Sequence, residues 1–162
     1  MTHETRTRAR IGVLVPFTNT NLEPDMMLMR CPDTTVHFQR MGGYDVDEIP
    51  GSDQMAGLGA SDISHDLRMI SGVRPDVVLY GCTSATLTHG PGFDADLAQQ
   101  IKAGSGAISL TAAGSLIKGI QAIGAAKVGF SSPYLGEINT QAMDFLAANG
   151  IETVKCADVG RE

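Results

Sequence analysis

The 162-residue chain predicts an α/β fold, a parallel sheet flanked by helices. Apolar, β-rich runs alternate along it with amphipathic stretches, the order in which parallel strands and crossover helices follow one another. Nineteen glycines fall between and within those runs with no low-complexity tract, which suits tight connections rather than disorder. At 43% hydrophobic residues the chain can fill a real core. Its length allows one ordinary domain or two small lobes.

Residues 1–9 read as a solvated N-terminal tail, with Arg6, Arg8 and Arg10 in or beside it. RIGVLVP (10–16) is a first strand and TTVHFQRM (34–41) a second. Between them LEPDMMLMR is a short helix, Pro24 being tolerated in its first turn. Residues 42–60 show no clear period and read as a long loop, which in a compact domain suggests a lid. Ser61 is a candidate N-cap for the helix DISHDLRMISGV, which feeds the strand PDVVLYG. Helix GFDADLAQQIKAG then leads to a short strand at GAISL, and helix AAGSLIKGIQAIG to strand KVGFSS. Helix YLGEINTQAMDFLAANG, stopped by Gly150, precedes a last strand IETVKCADV.

One internal echo bears on domain organisation. RIGVLVPF (10–17) and KVGFSSPY (127–134) share a basic residue, a β-branched residue, Gly, three further residues, Pro and an aromatic. Each is followed by an asparagine, Asn19 in one case and Asn139 in the other. The echo divides the chain into a first α/β lobe, 10–110, and the start of a similar second lobe, 111–162. At that offset the counterpart of Cys82 falls beyond Glu162. The second lobe is therefore expected to be incomplete in this chain, and the unpaired strand edges to favour self-association.

Composition excludes several classes of function. The formal charge is −6 with basic residues concentrated at the start, which argues against a nucleic-acid surface. No apolar run approaches the roughly 18 residues of a membrane span, and MTHETRTRAR lacks the apolar core of a secretory signal. Three cysteines at irregular spacing make no disulfide framework, so a reduced, cytoplasmic protein is expected. His3, His37 and His65 have no metal-ligand spacing. GSDQMAGLG lacks the ending and the preceding strand of a phosphate loop.

The stretch VVLYGCTSATLTHG (77–90) carries the chemistry. Cys82 is placed at the carboxyl end of a parallel strand, where open α/β sheets bind ligands. Thr83, Ser84 and Ala85 can turn backbone N–H groups toward its sulfur and toward a bound carboxylate, which favours thiolate. A free cysteine is equally often a small buried hydrophobe, so the local residues leave both roles open. Asn19 and Asn139 suit the gripping of carboxylate oxygens by amide N–H groups, yet as residues after strand ends both also read as turn formers. Tyr134 adds a phenolic donor. His89, seven residues after Cys82, raises a Cys–His dyad, against which THGPG speaks as a turn rather than a helix interior. Cys31, before Pro32, reads as a packing or structural thiol, and Met26, Met27 and Met29 as adaptable apolar filler.

With VPFTNTNLEPD after the first strand, YGCTSAT around Cys82 and SPYLGEIN at the second-lobe start, the chain resembles the aspartate/glutamate racemase superfamily, nearest to its maleate cis–trans isomerase and arylmalonate decarboxylase branch. The resemblance spans about residues 10–160. It implies a pseudo-symmetric two-lobe racemase-like fold with the active site between lobes and no metal or organic cofactor. Isomerases and racemases of the superfamily use one cysteine from each lobe, whereas the decarboxylases keep only the second. Cys82 in the first lobe thus points to the isomerase or racemase side; Cys156 does not match the second thiol. The implied activity is isomerisation of a small cis-unsaturated dicarboxylate, maleate to fumarate, by addition of the Cys82 thiolate. Asn19, Thr83, Ser84, Tyr134 and Asn139 are the implied substrate-binding residues, and a homodimer the implied assembly. The alternatives are a cofactor-independent aspartate/glutamate-type racemase, an arylmalonate-type decarboxylase relative, and a non-catalytic carboxylate-binding fragment.

Overall fold

The computed structural model describes residues 9–42, 51–134 and 136–158. Most of the expected tail, and residues 43–50 of the expected lid, lie outside them. In chain order the elements are β1 (Ala9–Pro16), α1 (Leu22–Leu28), β2 (Thr34–Met41), α2 (Ser52–Gly59), α3 (Ser64–Ser71), β3 (Val77–Tyr80), α4 (Thr83–Leu87), α5 (Phe93–Ser105) and β4 (Ile108–Thr111). After these come α6 (Ala112–Ala122), β5 (Lys127–Ser132), α7 (Gly136–Ala148) and β6 (Glu152–Asp158).

Two parallel sheets result. The first has the order β2-β1-β3-β4. Val13, Leu14 and Val15 of β1 are fully buried, because a strand flanked by neighbours and covered on both faces needs a continuous apolar run. Helices α3 and α5 cover one face, packing Leu67, Ile70, Leu97 and Ile101 onto Leu14, Val78 and Tyr80. Arg10 belongs to this sheet rather than to a solvated tail: its backbone N–H donates to Asp76 Oδ2 at 2.7 Å.

The second sheet pairs β5 with β6. It repeats the opening of the first: β1 pairs Ala9 with Thr34 and β5 pairs Lys127 with Glu152, in each case 25 positions on. The sequence echo is thus a structural repeat of strand, helix and parallel strand. Ala113, Ile117, Phe145, Leu146 and Ile151 form the core beside it. The two cores meet at α4, whose Ala85 packs into the first and Leu87 into the second. Gly150, at φ 76°, ends α7 in the left-handed conformation expected of it.

Two further expectations need correction. Residues 51–60 are not loop: α2 forms there, closed at its start by Gln54 Oε1 accepting from the Gly51 N–H at 3.0 Å, with Met55 and Leu58 buried. Its period escapes the sequence because Gly59 takes a place on the buried face beside Met55 and Leu58. Ser61 does not cap α3. Its hydroxyl donates back to the Leu58 carbonyl at 2.7 Å, closing α2, while Asp62 Oδ1 accepts from the Ser64 N–H at 2.9 Å. After Cys82 the short α4 precedes the turn expected at THGPG, which begins at Thr88.

Candidate active site

Cys82 sits where β3 ends. The ladder runs one residue further, with the Gly81 N–H donating to the Leu14 carbonyl at 2.8 Å. The backbone then turns, leaving Cys82 extended as the N-cap residue of α4. Only glycine fits before it, since a Cβ at 81 would stand 2.3 Å from Leu22 Cδ2 and 2.9 Å from the Leu14 carbonyl oxygen. Cys82 is 8% exposed and opens onto a cavity of about 620 Å³ at the carboxyl ends of β1 and β3.

Burial pushes the Cys82 thiol above its ordinary value, and the Ala85 N–H, the Ser84 hydroxyl and the Ser84 N–H pull it back only in part. The donors expected at the start of α4 are in place. They do not make a standing thiolate, because desolvation outweighs them. Ser84 Oγ lies 3.7 Å from Cys82 Sγ and 3.0 Å from Met55 Sδ, to which it donates. α2 thereby reaches the site through Met55.

Asn19 lines the cavity, and its orientation is set by the backbone. Its Oδ1 accepts from the N–H groups of Asn21 and Leu22, both at 2.9 Å. The Nδ2 amino group is left without a partner among the described residues, free to donate to a ligand. Arg40, a residue with no motif to mark it, holds this loop. It donates to the carbonyls of Phe17 and Asn19 at 2.8 and 3.1 Å and pairs with Glu23 at 2.8 Å.

From the other half of the chain comes Tyr134, which lines the same cavity. Burial and the nearby Cys82 raise its phenol above the ordinary value, and a hydrogen bond with Ser84 partly offsets them. Thr83 and Ser84 complete the wall around the thiol. Asn139 departs from its expected place. It is 3% exposed and does not line the cavity. Its Nδ2 donates to the Tyr134 carbonyl at 3.0 Å and its Oδ1 accepts from Ser132 Oγ. Both ends of the amide are spent on shaping the Tyr134 loop, so Asn139 positions a donor rather than being one.

His89 is not a partner of Cys82. Its Nε2–H donates to the Ala56 carbonyl at 2.7 Å and its ring stacks on Phe93, centroids 4.2 Å apart. Cys31 is exposed and Cys156 half-buried, and neither lines the cavity. Among the described residues no group of three His, Cys, Asp or Glu side chains could hold a metal ion, and no helix is long and apolar enough to cross a membrane.

A family model for arylmalonate decarboxylase matches residues 11–160. The chain belongs to the arylmalonate decarboxylase family. Within the aspartate/glutamate racemase-like group, its curated relatives include maleate isomerases. That of Geobacillus stearothermophilus is 30% identical over 158 residues, covering 88% of this chain and 60% of the relative. That of Nocardia farcinica is 30% identical over 152 residues, covering 87% and 58%. The chain therefore spans about three fifths of the length of these relatives. Among solved structures, a cysteine-to-serine variant of the Nocardia farcinica maleate cis–trans isomerase with a covalently bound succinylcysteine intermediate superimposes with a TM-score of 0.83. It is 26% identical, over 94% of this chain and 64% of that one. The Pseudomonas putida S16 maleate isomerase gives 0.82 at 24% identity, a likeness of fold.

Proposed function

We propose that this protein is a cofactor-independent cis–trans isomerase of a small cis-unsaturated dicarboxylate, with maleate as substrate, fumarate as product and Cys82 as nucleophile. The observation that carries the proposal is the convergence on one cavity of a strand-end thiol, the free amino group of Asn19 and the Tyr134 phenol, contributed by both halves of the chain. The maleate isomerases among the relatives, and the succinylcysteine bound in one of them, support it.

The chemistry follows from the groups present. The thiolate form of Cys82 adds to one olefinic carbon, forming a C–S bond while the π pair moves onto the neighbouring carbon and its carboxylate. The former double bond is now single and rotates. Return of the electron pair re-forms the double bond in the trans arrangement and expels the thiolate, so no net proton or electron is consumed. Covalent addition replaces one forbidding rotation by two accessible steps. Asn19 Nδ2, the Tyr134 hydroxyl and the N–H groups of Ser84 and Ala85 are the donors that take up the charge gathered on the carboxylate.

Proton NMR of maleate incubated with the protein tests this: fumarate appears with the native chain and is lost, by a factor of at least 10³, with Cys82→Ser. Turnover that survives Cys82→Ser removes the assignment. Protection of Cys82 from alkylation by maleate, with no conversion, would instead make the chain a carboxylate-binding module. Deuterium washed from heavy water into aspartate or glutamate would make it a racemase.

A further inference from the structure

Three buried side chains form one row at the thiol. The Ser84 hydroxyl stands between two sulfurs, 3.7 Å from Cys82 Sγ and 3.0 Å from Met55 Sδ, to which it donates. Met55 comes from α2 and lines the cavity. A hydroxyl has one proton and two lone pairs. While the Ser84 proton rests on Met55, the oxygen faces Cys82 as an acceptor, which suits the thiol. Thiolate needs a donor instead, so its formation calls for the hydroxyl to turn about its Cβ–Oγ bond from Met55 to Cys82. Seating α2 does not require the thioether. The close crossing at Gly59 and the His89 Nε2–H donated to the Ala56 carbonyl at 2.7 Å already hold that helix on α4. Leucine would fill the same space without offering an acceptor.

Resting on the isomerase reading, we propose that Met55 is a positioning residue for the nucleophile: its thioether draws the Ser84 hydroxyl away from Cys82 and so keeps the resting sulfur a thiol. No proton passes to Met55. When Cys82 ionises, its proton leaves to solvent and the hydroxyl swings to the new thiolate. The titratable groups beside Cys82 are Tyr80 on β3, Tyr134 ahead of α7, and Asp25 of α1, which lines the cavity. Asp53 on α2, His89 after α4 and Glu137 on α7 are exposed. All of these stay in place when Met55 or Ser84 is replaced.

The test is the pH dependence of Cys82 alkylation by iodoacetamide, read by mass spectrometry in the native chain, Met55→Leu, Ser84→Ala and the double variant. Met55→Leu conserves volume and is tolerated in a core. It is expected to lower the apparent pKa of Cys82 by about one pH unit, the size of a hydrogen bond gained by a charged sulfur. Labelling at pH 7 then rises only about three-fold, because a more acidic thiol gives a weaker nucleophile. In the Ser84→Ala background the same substitution is expected to change nothing. A pKa that does not move in Met55→Leu overturns the proposal. An equal fall in both backgrounds also overturns it, since leucine would then be admitting water to a buried thiol rather than freeing the hydroxyl. Cys31 and Cys156 serve as internal references for reagent and pH. Turnover keeps this apart from the reading beneath it. Where fumarate forms, the acid limb of kcat/KM in Met55→Leu moves down by the same amount, and an unmoved limb overturns the positioning role. A native chain that forms no fumarate, with the alkylation shift in place, overturns the isomerase reading alone.

Discussion

At Cys82 burial and hydrogen bonding pull in opposite directions, and burial wins. The folded protein therefore holds the thiol proton above the pH at which the unfolded chain releases it. The stabilisation this gives is complete below the ordinary thiol value of 9.0 and is lost as pH rises past it. Reactivity runs the other way, because only thiolate attacks. Alkylation of Cys82, followed by mass spectrometry, is expected to rise about tenfold per pH unit from neutrality. It should still be climbing at pH 9, where a free cysteine in solution levels off. A plateau near neutral pH would mean that the donors outweigh burial after all. Tyr80, two residues earlier on β3, presents a related imbalance. It is fully buried, its hydroxyl has no hydrogen-bond partner among the described residues, and burial and Cys82 together push its phenol up. An unpaired buried hydroxyl costs about 1–3 kcal/mol. Tyr80→Phe is accordingly expected to stabilise the fold by about 1 kcal/mol, a rise of about 2–4 °C in Tm. Loss of stability would show that the hydroxyl is satisfied.

The elements around the site are held by close approach. α1 lies over Gly81 so tightly that Gly81→Ala would drive a methyl into Leu22 and toward the Leu14 carbonyl. Leu22 can swing its end away; the carbonyl, fixed in the ladder, cannot. Overpacking of this kind costs about 1–3 kcal/mol, to be read from urea denaturation. Because Asn19 Oδ1 is bonded to the Leu22 N–H, a shift of α1 also disturbs Asn19, and maleate should protect Cys82 less well in the variant. Unchanged stability and protection would mean that α1 is not seated by this contact. The same closeness explains what the sequence revealed and what it concealed. Continuous apolar runs such as Val13–Leu14–Val15 announce a buried strand, whereas Cys82, Thr83, Ser84, Asn19 and Tyr134, which the structure brings to one cavity, were singled out by the resemblance and not by residue type alone. α2 was hidden because it crosses α4 closely: a Cβ at Gly59 would stand 2.5 Å from the Ala85 carbonyl oxygen. The glycine that permits the crossing is the residue that argues against a helix. Asn139 misled because sequence shows an amide in a loop but not which partners take up its two ends. Arg40 carried no motif at all, being marked only by the neighbours that folding gives it.

At the scale of the whole molecule, the two halves begin alike and then differ. β1 has β2 on one side and β3 on the other, whereas β5 has only β6 among the described residues. Beside β5 lies a second cavity, about 220 Å³, lined by Leu116, Phe130, Phe145 and Leu146 among others. Leu116, Ile123 and Val154 stand 43%, 80% and 58% exposed in this half. A parallel strand with an open edge next to exposed apolar side chains is a template for pairing. Isolated 17.0 kDa chains are therefore expected to self-associate in solution. Light scattering coupled to size exclusion should give at least twice that mass, rising with concentration. Replacing Phe130, on β5 itself, by Lys should lower the mass toward the single chain while leaving alkylation of Cys82 unchanged, since Phe130 does not line the site cavity. A single-chain mass at every concentration would mean that this edge is protected, and that the second half is closed without a partner.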